Sequence, residues 1–242
     1  MIVPVNAPEP IREAILAALR GAALSAVLLL GPAALLGVWV WPAGVVFVAA
    51  SAATQLAGNL VLATWRPAHF QVRQQGVVAA KGRGQPASDA IGSAILVGFA
   101  LAWTACIPLD VFRLHLLATP PAWLAWAGGL TALLGVGLTT LAVWENRFAT
   151  PNVQDQTGSG QQVIQTGVYG AVRHPIYLGY ALQIAGQALW LGSVAAALIG
   201  AGVYLVATLA RITIEERDLR ARLPGYEAYA RRVRGRLIPF LL

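Results

Sequence analysis

The stretch that decides the fold is IYLGYALQIAGQALWLGSVAAALIGAGVYLVATLARITI, from Ile176 to Ile214. A helix crosses the roughly 30 Å hydrocarbon core of a bilayer in about 20 residues, so this stretch is too long for one span. The segment Leu191-Gly192-Ser193 interrupts it near the middle. The sequence therefore predicts a helical hairpin, with a short helix from Ile176 to Trp190 and a longer one from Val194 past Glu216.

The rest of the chain is as apolar as this stretch. Of its 242 residues, 57% are hydrophobic and only 11% are charged, whereas a soluble domain carries about 25% charged residues. The mean hydropathy of +0.65 agrees. This balance excludes an ordinary soluble enzyme, a disordered chain and a fibrous repeat, and it indicates an all-α, polytopic integral membrane protein of about six transmembrane helices. The other four apolar runs are Ala14–Val38, Ala43–Trp65, Ala90–Ile107 and Ala122–Val143.

The positive charges predict the orientation of the helices. If both termini face the cytoplasm, all but Arg113 of the 17 Lys and Arg residues lie on that side, as the excess of Lys and Arg in cytoplasmic loops requires. The cytoplasmic parts are then the loops 66–89 and 147–175 and a tail from about Asp218. We interpret the basic 66–89 loop as a solvated segment near anionic headgroups. The Ala-, Gly- and Arg-rich composition is typical of a bacterial chain, so the expected location is the bacterial inner (cytoplasmic) membrane.

Several kinds of partner and site are not expected. The net charge of +7 reflects asymmetric loop charge in so apolar a chain, so we expect no nucleic acid partner. The single cysteine, Cys106, excludes an intramolecular disulfide and a cysteine metal cluster. His69, His115 and His174 are widely scattered, so no metal site is expected. The oligomeric state stays open.

Nearly all residues able to carry chemistry follow Trp144, and the first group is GVYGAVRHPIYLG, from Gly167 to Gly179. Pro175 suits the first turn of a helix, and His174 lies near its N-cap. The free N–H groups of a helix N-terminus can hold a carboxylate of a substrate or cofactor. The alternative is an interfacial turn that only anchors the hairpin at the headgroups.

The second group is RITIEE, from Arg211 to Glu216. Arg211 and Glu215 are four residues apart and share one helix face. Paired acids near the membrane boundary are costly unless they are used or solvated. The alternative is a surface ion pair just outside the bilayer. Because both groups lie at the same end of the predicted hairpin, we expect them to converge in space.

Together the two groups resemble a known signature. Arg173-His174-Pro175-x-Tyr177-x-Gly179, followed by Glu215-Glu216, is similar to the RHPxYxG…EE signature of the isoprenylcysteine carboxyl methyltransferase (ICMT) family, within the superfamily of phospholipid and isoprenylcysteine membrane methyltransferases. The likeness extends over roughly Trp144 to Pro239. It implies a methyltransferase core at 144–242, preceded by N-terminal transmembrane helices 1–4 at 1–143. Further matching elements occur at Gln154, Gln161 to Ile164, Gly167-Val168-Tyr169 and Arg211.

The resemblance implies methyl transfer from S-adenosyl-L-methionine (SAM), held in a cytoplasmic pocket, to a carboxylate of a lipid-like or prenylcysteine-like substrate. It implies that Arg211 meets that carboxylate, and His174 is the nearest base for an acceptor that needs one. The lipid or lipidated substrate is expected to enter sideways from the membrane. The residues implied to bind the cofactor are Gln154, Gln161, Gln162, Val163, Ile164, Tyr169, His174, Pro175, Ile176, Tyr177 and Glu215.

Other interpretations stay open at this stage. A phospholipid N-methyltransferase or a small-thiol S-methyltransferase on the same fold takes an amine or a thiol instead. NADPH-dependent membrane sterol reductases resemble this C-terminal region but are expected to be longer. A non-enzymatic transporter or scaffold is a remote alternative that does not explain the paired motifs. Gly135-Val-Gly137 resembles a cofactor-binding Gly-x-Gly of the phospholipid enzymes, or else it serves helix packing.

Overall fold

The computed structural model describes residues 8–78, 87–149 and 160–239. Within these ranges the chain is helical and has no strand. A π-helical turn, Asp110–Leu114, extends the fourth helix, and a 3-10 turn, Gly167–Gly170, precedes the sixth. The helices are α1 Pro8–Leu35, α2 Pro42–Trp65, α3 Pro67–Val78, α4 Ala87–Leu109, α5 Ala122–Glu145, α6 Pro175–Leu191, α7 Val194–Arg222 and α8 Tyr226–Arg232.

Large apolar side chains cover the outside of the bundle, which a soluble protein would not tolerate. Leu35 is 90% exposed and Val206 is 72% exposed. Over the described residues the structure confirms the prediction of an all-α fold, and its apolar exterior is the one expected of an integral membrane protein. Helix α6 has only 17 residues, about 25 Å at 1.5 Å per residue, so the expected total of six spans stays a prediction. Five helices are long and apolar enough to cross a membrane: Glu9–Leu35, Pro42–Trp65, Ala94–Leu114, Ala122–Glu145 and Val194–Arg222.

The hairpin of α6 and α7 forms where the apolar stretch predicted it. Pro175 occupies the first turn of α6, and Gly192 ends the helix with a φ of +101°. Ser193 caps α7, since its Oγ accepts a hydrogen bond from the N–H of Ala196 at 2.8 Å. The same hydroxyl donates to Oδ2 of Asp110 at 2.5 Å, which ties the hairpin turn to the end of α4.

Small residues let α5 and α6 pack closely. A Cβ at Gly135 would lie 2.5 Å from the carbonyl oxygen of Gly179, and a Cβ at Gly186 would collide with the carbonyl oxygen of Gly128. Such close approach is how small residues bring membrane helices together. Gly137 has open space around it instead. Gly135 therefore serves helix packing, whereas Gly137 does not.

The prediction of a solvated loop over 66–89 was wrong for its first half, which forms α3. Pro67 begins this helix, because its fixed φ suits a first turn. Phe70 is only 2% exposed and belongs to an apolar cluster that includes Val143 of α5. Nδ1 of His69 lies 3.0 Å from the carbonyl oxygen of Val143. These contacts hold α3 against the bundle; residues 79–86 lie outside the described residues.

Candidate functional site

The segment before α6 has no regular secondary structure. Gln161–Gln165 is neither helix nor strand, and no backbone–backbone hydrogen bond within the described ranges uses its amides or carbonyls. Gly167 follows with a φ of +54°, and a Cβ there would lie 2.5 Å from Cδ of Glu145, so any other residue would be strained at this position. The hydroxyl of Thr166 donates to Oε2 of Glu145 at 2.8 Å. These contacts hold the segment beside the end of α5.

The C-terminal tail holds the beginning of α6 in place. The backbone N–H groups of Arg173 and His174 donate to the carbonyl oxygens of Gly235 and Arg236 at 3.0 and 2.9 Å. The side chain of Arg173 also donates through Nη1 to the carbonyl oxygen of Val233 at 2.5 Å. The Arg-His-Pro turn is therefore built into the fold and is more than a surface anchor.

Glu216 is the centre of a buried ion cluster. Its side chain has no exposed surface, and its Oε1 accepts from Nε of Arg173 at 2.6 Å and contacts Nε2 of His174 at 3.2 Å. Arg220 and Arg236 lie near the other oxygen, at 3.3 and 3.6 Å. A charge so deeply buried is stable only with such partners. Because a carboxylate only accepts, Nε2 of His174 carries the proton in this contact.

The neighbouring acid, Glu215, has a different environment. The hydroxyl of Tyr177 donates to its Oε2 at 2.9 Å, and Nε of Arg211 donates to the oxygen of Tyr177 at 2.8 Å. The ring of His174 stacks on that of Tyr177, with centroids 5.7 Å apart and planes at 27°. The two adjacent acids thus have different roles. Glu216 forms buried contacts between α7 and the residues before α6, and Glu215 lines a cavity.

That cavity has a volume of about 500 Å³, within the roughly 300–1,000 Å³ usual for small-molecule sites. It extends along α6 from His174 to Gln187. Around the start of α6 the wall contains most of the cavity's charged side chains and includes Gln161–Ile164, Tyr169 and Glu215; we call this part the polar wall. Farther along, its wall is mostly apolar, with contributions from α4, α6 and α7: Leu96, Val97, Ala100, Leu101, Trp103, Ile184 and Tyr204.

Two buried phenols in the polar wall keep their protons at neutral pH. Burial raises the pKa of Tyr169 to about 12. Burial also raises the pKa of Tyr226 well above its ordinary value. Both side chains line the cavity, where they present neutral aromatic surface and hydroxyl groups to a ligand.

The structure brings the residues that the sequence singled out into one place. Gln154 lies outside the described residues. Sequence reasoning missed Arg73, Tyr180 and Tyr204, which also line the cavity. The sequence could have indicated Tyr180, because it lies about one helical turn after Tyr177 and therefore on the same face of α6. The predicted residues that line the cavity are Gln161, Gln162, Val163, Ile164, Tyr169, His174, Pro175, Ile176, Tyr177, Arg211 and Glu215.

A family model described as phospholipid methyltransferase matches residues 123–223. The matched part extends from the start of α5 to just past the end of α7 and contains most of the cavity's polar wall. No curated protein matches the chain. The matched part of the chain, with its apolar helices, is therefore similar to membrane methyltransferases of this family.

Proposed function

We propose that this cavity transfers a methyl group from SAM to a lipid-like acceptor, and that the accepting group is a carboxylate, as in the isoprenylcysteine carboxyl methyltransferases. One observation carries the proposal. Both halves of the signature line the same cavity, and Tyr177 joins them by hydrogen bonds to Glu215 and Arg211. Neither a surface anchor nor a surface ion pair accounts for this convergence.

The residues of the polar wall fit SAM. Its adenine, ribose and amino-acid groups need both donors and acceptors, and the backbone of Gln161–Ile164, which forms no backbone–backbone hydrogen bond among the described residues, can supply both. The carboxylate of Glu215 accepts hydrogen bonds from hydroxyl or ammonium groups. Tyr169 and Tyr177 offer aromatic surface for a purine ring. We therefore propose that these residues, with His174, Pro175 and Ile176, hold the cofactor.

The protein's own work in this reaction is positioning and exclusion of water. When bound, SAM supplies an electrophilic methyl group attached to its sulfonium sulfur. The leaving group is a neutral thioether, so no general acid is needed. A carboxylate acceptor is ionised at neutral pH and needs no base. For a neutral amine or thiol, we propose that Nδ1 of His174 takes the proton, because Glu216 holds Nε2.

Arg211 is the residue that we propose to meet the acceptor carboxylate. It lines the cavity one helical turn from Glu215, and its Nε is oriented by Tyr177 at 2.8 Å. A guanidinium fork matches the two oxygens of a carboxylate, which an ammonium cannot do. This contact would fix the acceptor beside the cofactor end of the cavity.

A second candidate is N-methylation of a phospholipid headgroup. The description of the matching family favours it. The same cavity then holds an amine, with His174 as the base. Methylation of a small thiol is the third version of this chemistry on the same fold.

We also propose that the acceptor enters from the membrane. Val97 of α4 lines the cavity and is 59% exposed on the outside of the bundle, which supports a lateral opening. Membrane lipids, or lipidated small molecules in the bilayer, would reach the cavity through such an opening. The proposed location is the bacterial inner membrane, with both termini and the polar wall of the cavity on the cytoplasmic side.

The proposal is tested on the purified protein in detergent. Calorimetry with SAM, and with NADPH as the control ligand, decides the cofactor: SAM alone should bind. Methyl transfer from radiolabelled SAM is then measured to prenylcysteine analogues, phosphatidylethanolamine and small thiols. Transfer to the prenylcysteine carboxylate supports the first candidate, and transfer only to the amine or the thiol replaces it.

A further inference from the structure

Arg73 lies on α3, the helix that the sequence did not predict. Two neighbouring residues fix this helix, Phe70 in an apolar cluster and His69 against the carbonyl oxygen of Val143. Arg73 is one turn farther along and lines the same cavity as the proposed methyl-transfer site. It is not part of the signature that identified the site.

The guanidinium of Arg73 is only partly satisfied. Nη2 donates to the hydroxyl oxygen of Tyr180 at 2.6 Å. Nη1 is buried and has no hydrogen-bond partner among the described residues, and no acidic residue there forms an ion pair with Arg73. A buried, charged donor without a partner is costly. An arginine in the wall of a membrane-protein cavity is therefore expected to serve an anion.

The position of Arg73 along the cavity identifies the kind of anion. Its partner Tyr180 lies one helical turn beyond Tyr177, away from the start of α6, at a rise of about 4.5 Å. The proposed cofactor residues lie on the side of Tyr180 that is nearer the start of α6. The mostly apolar wall formed by α4, α6 and α7 continues on the other side, with Trp103 and Ile184 among its residues. A ligand that contacts Arg73 thus has an anionic group next to an apolar part.

We propose that Arg73 binds the anionic group of an amphiphilic acceptor, at the junction between the polar and apolar parts of the cavity. This inference rests on the proposed function, because it assigns a specificity residue to the same site. The anion is a carboxylate or a phosphate attached to an apolar chain. Arg73 holds it through the charge of its guanidinium, which Tyr180 keeps in place through Nη2.

The test uses three probes in dodecyl maltoside micelles: dodecyl phosphate, dodecanoate and the neutral dodecanol. Their affinities are measured by titration for the wild type, Arg73→Gln and the control Arg66→Gln. Arg66 is exposed, lies over the ring of Trp144 and is absent from the cavity wall, so its charge is a matched control. SAM affinity is measured for each protein in parallel.

Arg73→Gln should lower the affinity for at least one anionic probe by about 10-fold or more, which is the effect of losing a charged hydrogen bond. Dodecanol and SAM affinities should not change, and Arg66→Gln should behave as the wild type. If the affinity for dodecyl phosphate falls more, a phosphate is the preferred anion; if the affinity for dodecanoate falls more, a carboxylate is. Equal affinities in the wild type and Arg73→Gln, or an equal loss in Arg66→Gln, would overturn the proposal.

A second variant covers the case in which Arg73→Gln does not fold. Arg73→Lys keeps the charge but cannot contact Tyr180 and an anion through a rigid fork, so anionic probes should bind several-fold more weakly. Unchanged binding by this variant counts against the proposal. Wild-type protein that binds the anionic probes through Arg73 but does not bind SAM would overturn the proposed function and leave the anion site standing.

Discussion

The hydroxyl of Tyr177 donates to Oε2 of Glu215 at 2.9 Å, and this bond joins the beginning of α6 to the end of α7. One residue farther along α7, Glu216 makes a different connection, to the buried side chains of Arg173 and His174. Adjacent acids therefore have separate roles. The first belongs to the proposed site, and the second belongs to the framework that shapes it.

Replacing Glu216 should damage the fold. Glu216→Gln removes the buried charge that compensates Arg173, and breaking such a buried pair costs roughly 3–5 kcal/mol. The free energy of unfolding in detergent measures this loss. Glu227→Gln is the matched control, because Glu227 also pairs with Arg220 but its side chain is 55% exposed, and it should change stability by less than about 1 kcal/mol. Equal stability of the two variants would contradict the role of Glu216.

Replacing Arg211 should separate the acceptor classes. For a carboxylate acceptor, Arg211→Lys should lose most turnover because a point charge cannot replace the fork, while SAM affinity stays nearly unchanged. For an amine or thiol, loss of the guanidinium should act through Tyr177 and Glu215 and lower SAM affinity and turnover together. Both constants are measured for Arg211→Lys and Arg211→Ala. Full turnover in both variants would remove Arg211 from the site.

The packing of α5 on α6 should depend on Gly135 but not on Gly137. A Cβ at Gly135 would meet the carbonyl oxygen of Gly179 at 2.5 Å, so Gly135→Ala should destabilise the protein by about 1–3 kcal/mol. Gly137→Ala places its methyl group in open space and should be neutral or slightly stabilising. Thermal unfolding of the pair in detergent checks this, and a reversed order of stabilities would refute the packing.

The orientation of the chain should follow its positive charges. In a Cys106→Ser background, a cysteine at the exposed Ala171 lies at the site end of the bundle, and one at the exposed Leu117 lies between α4 and α5 at the other end. A membrane-impermeant thiol reagent added outside intact cells should label Leu117→Cys and leave Ala171→Cys unlabelled. The opposite labelling pattern would invert the proposed topology.

The sequence predicted the hairpin well because its signals are local. A long apolar stretch, a Gly-Ser break within it and a proline at the first turn all act through neighbouring residues. Helix α6 and helix α7 accordingly begin within a residue of where the sequence predicted them. The signature residues also met in one cavity, because a hairpin brings its two ends together.

The roles of Glu216 and Arg73 could not be predicted in the same way, because they depend on distant partners. The sequence predicted that the group containing Arg173 lies near the group containing Glu216, but it did not predict that Glu216 is fully buried or that Arg236 lies beside it. Arg73 stands in a basic, glycine-containing stretch that looks solvated. Its place in the cavity depends on the burial of Phe70 beside α5 and on Tyr180, more than 100 residues away.

The most direct test of the account is the affinity for SAM of the wild type, Glu215→Ala and the control Glu227→Ala, measured by calorimetry in detergent. Glu215→Ala is cleaner than a change at His174, which also contacts the buried Glu216. The account predicts that the wild type and Glu227→Ala bind SAM equally, and that Glu215→Ala binds about 10- to 100-fold more weakly while it stays folded. Wild-type affinity in Glu215→Ala, or no SAM binding by the wild type, would contradict the central claim.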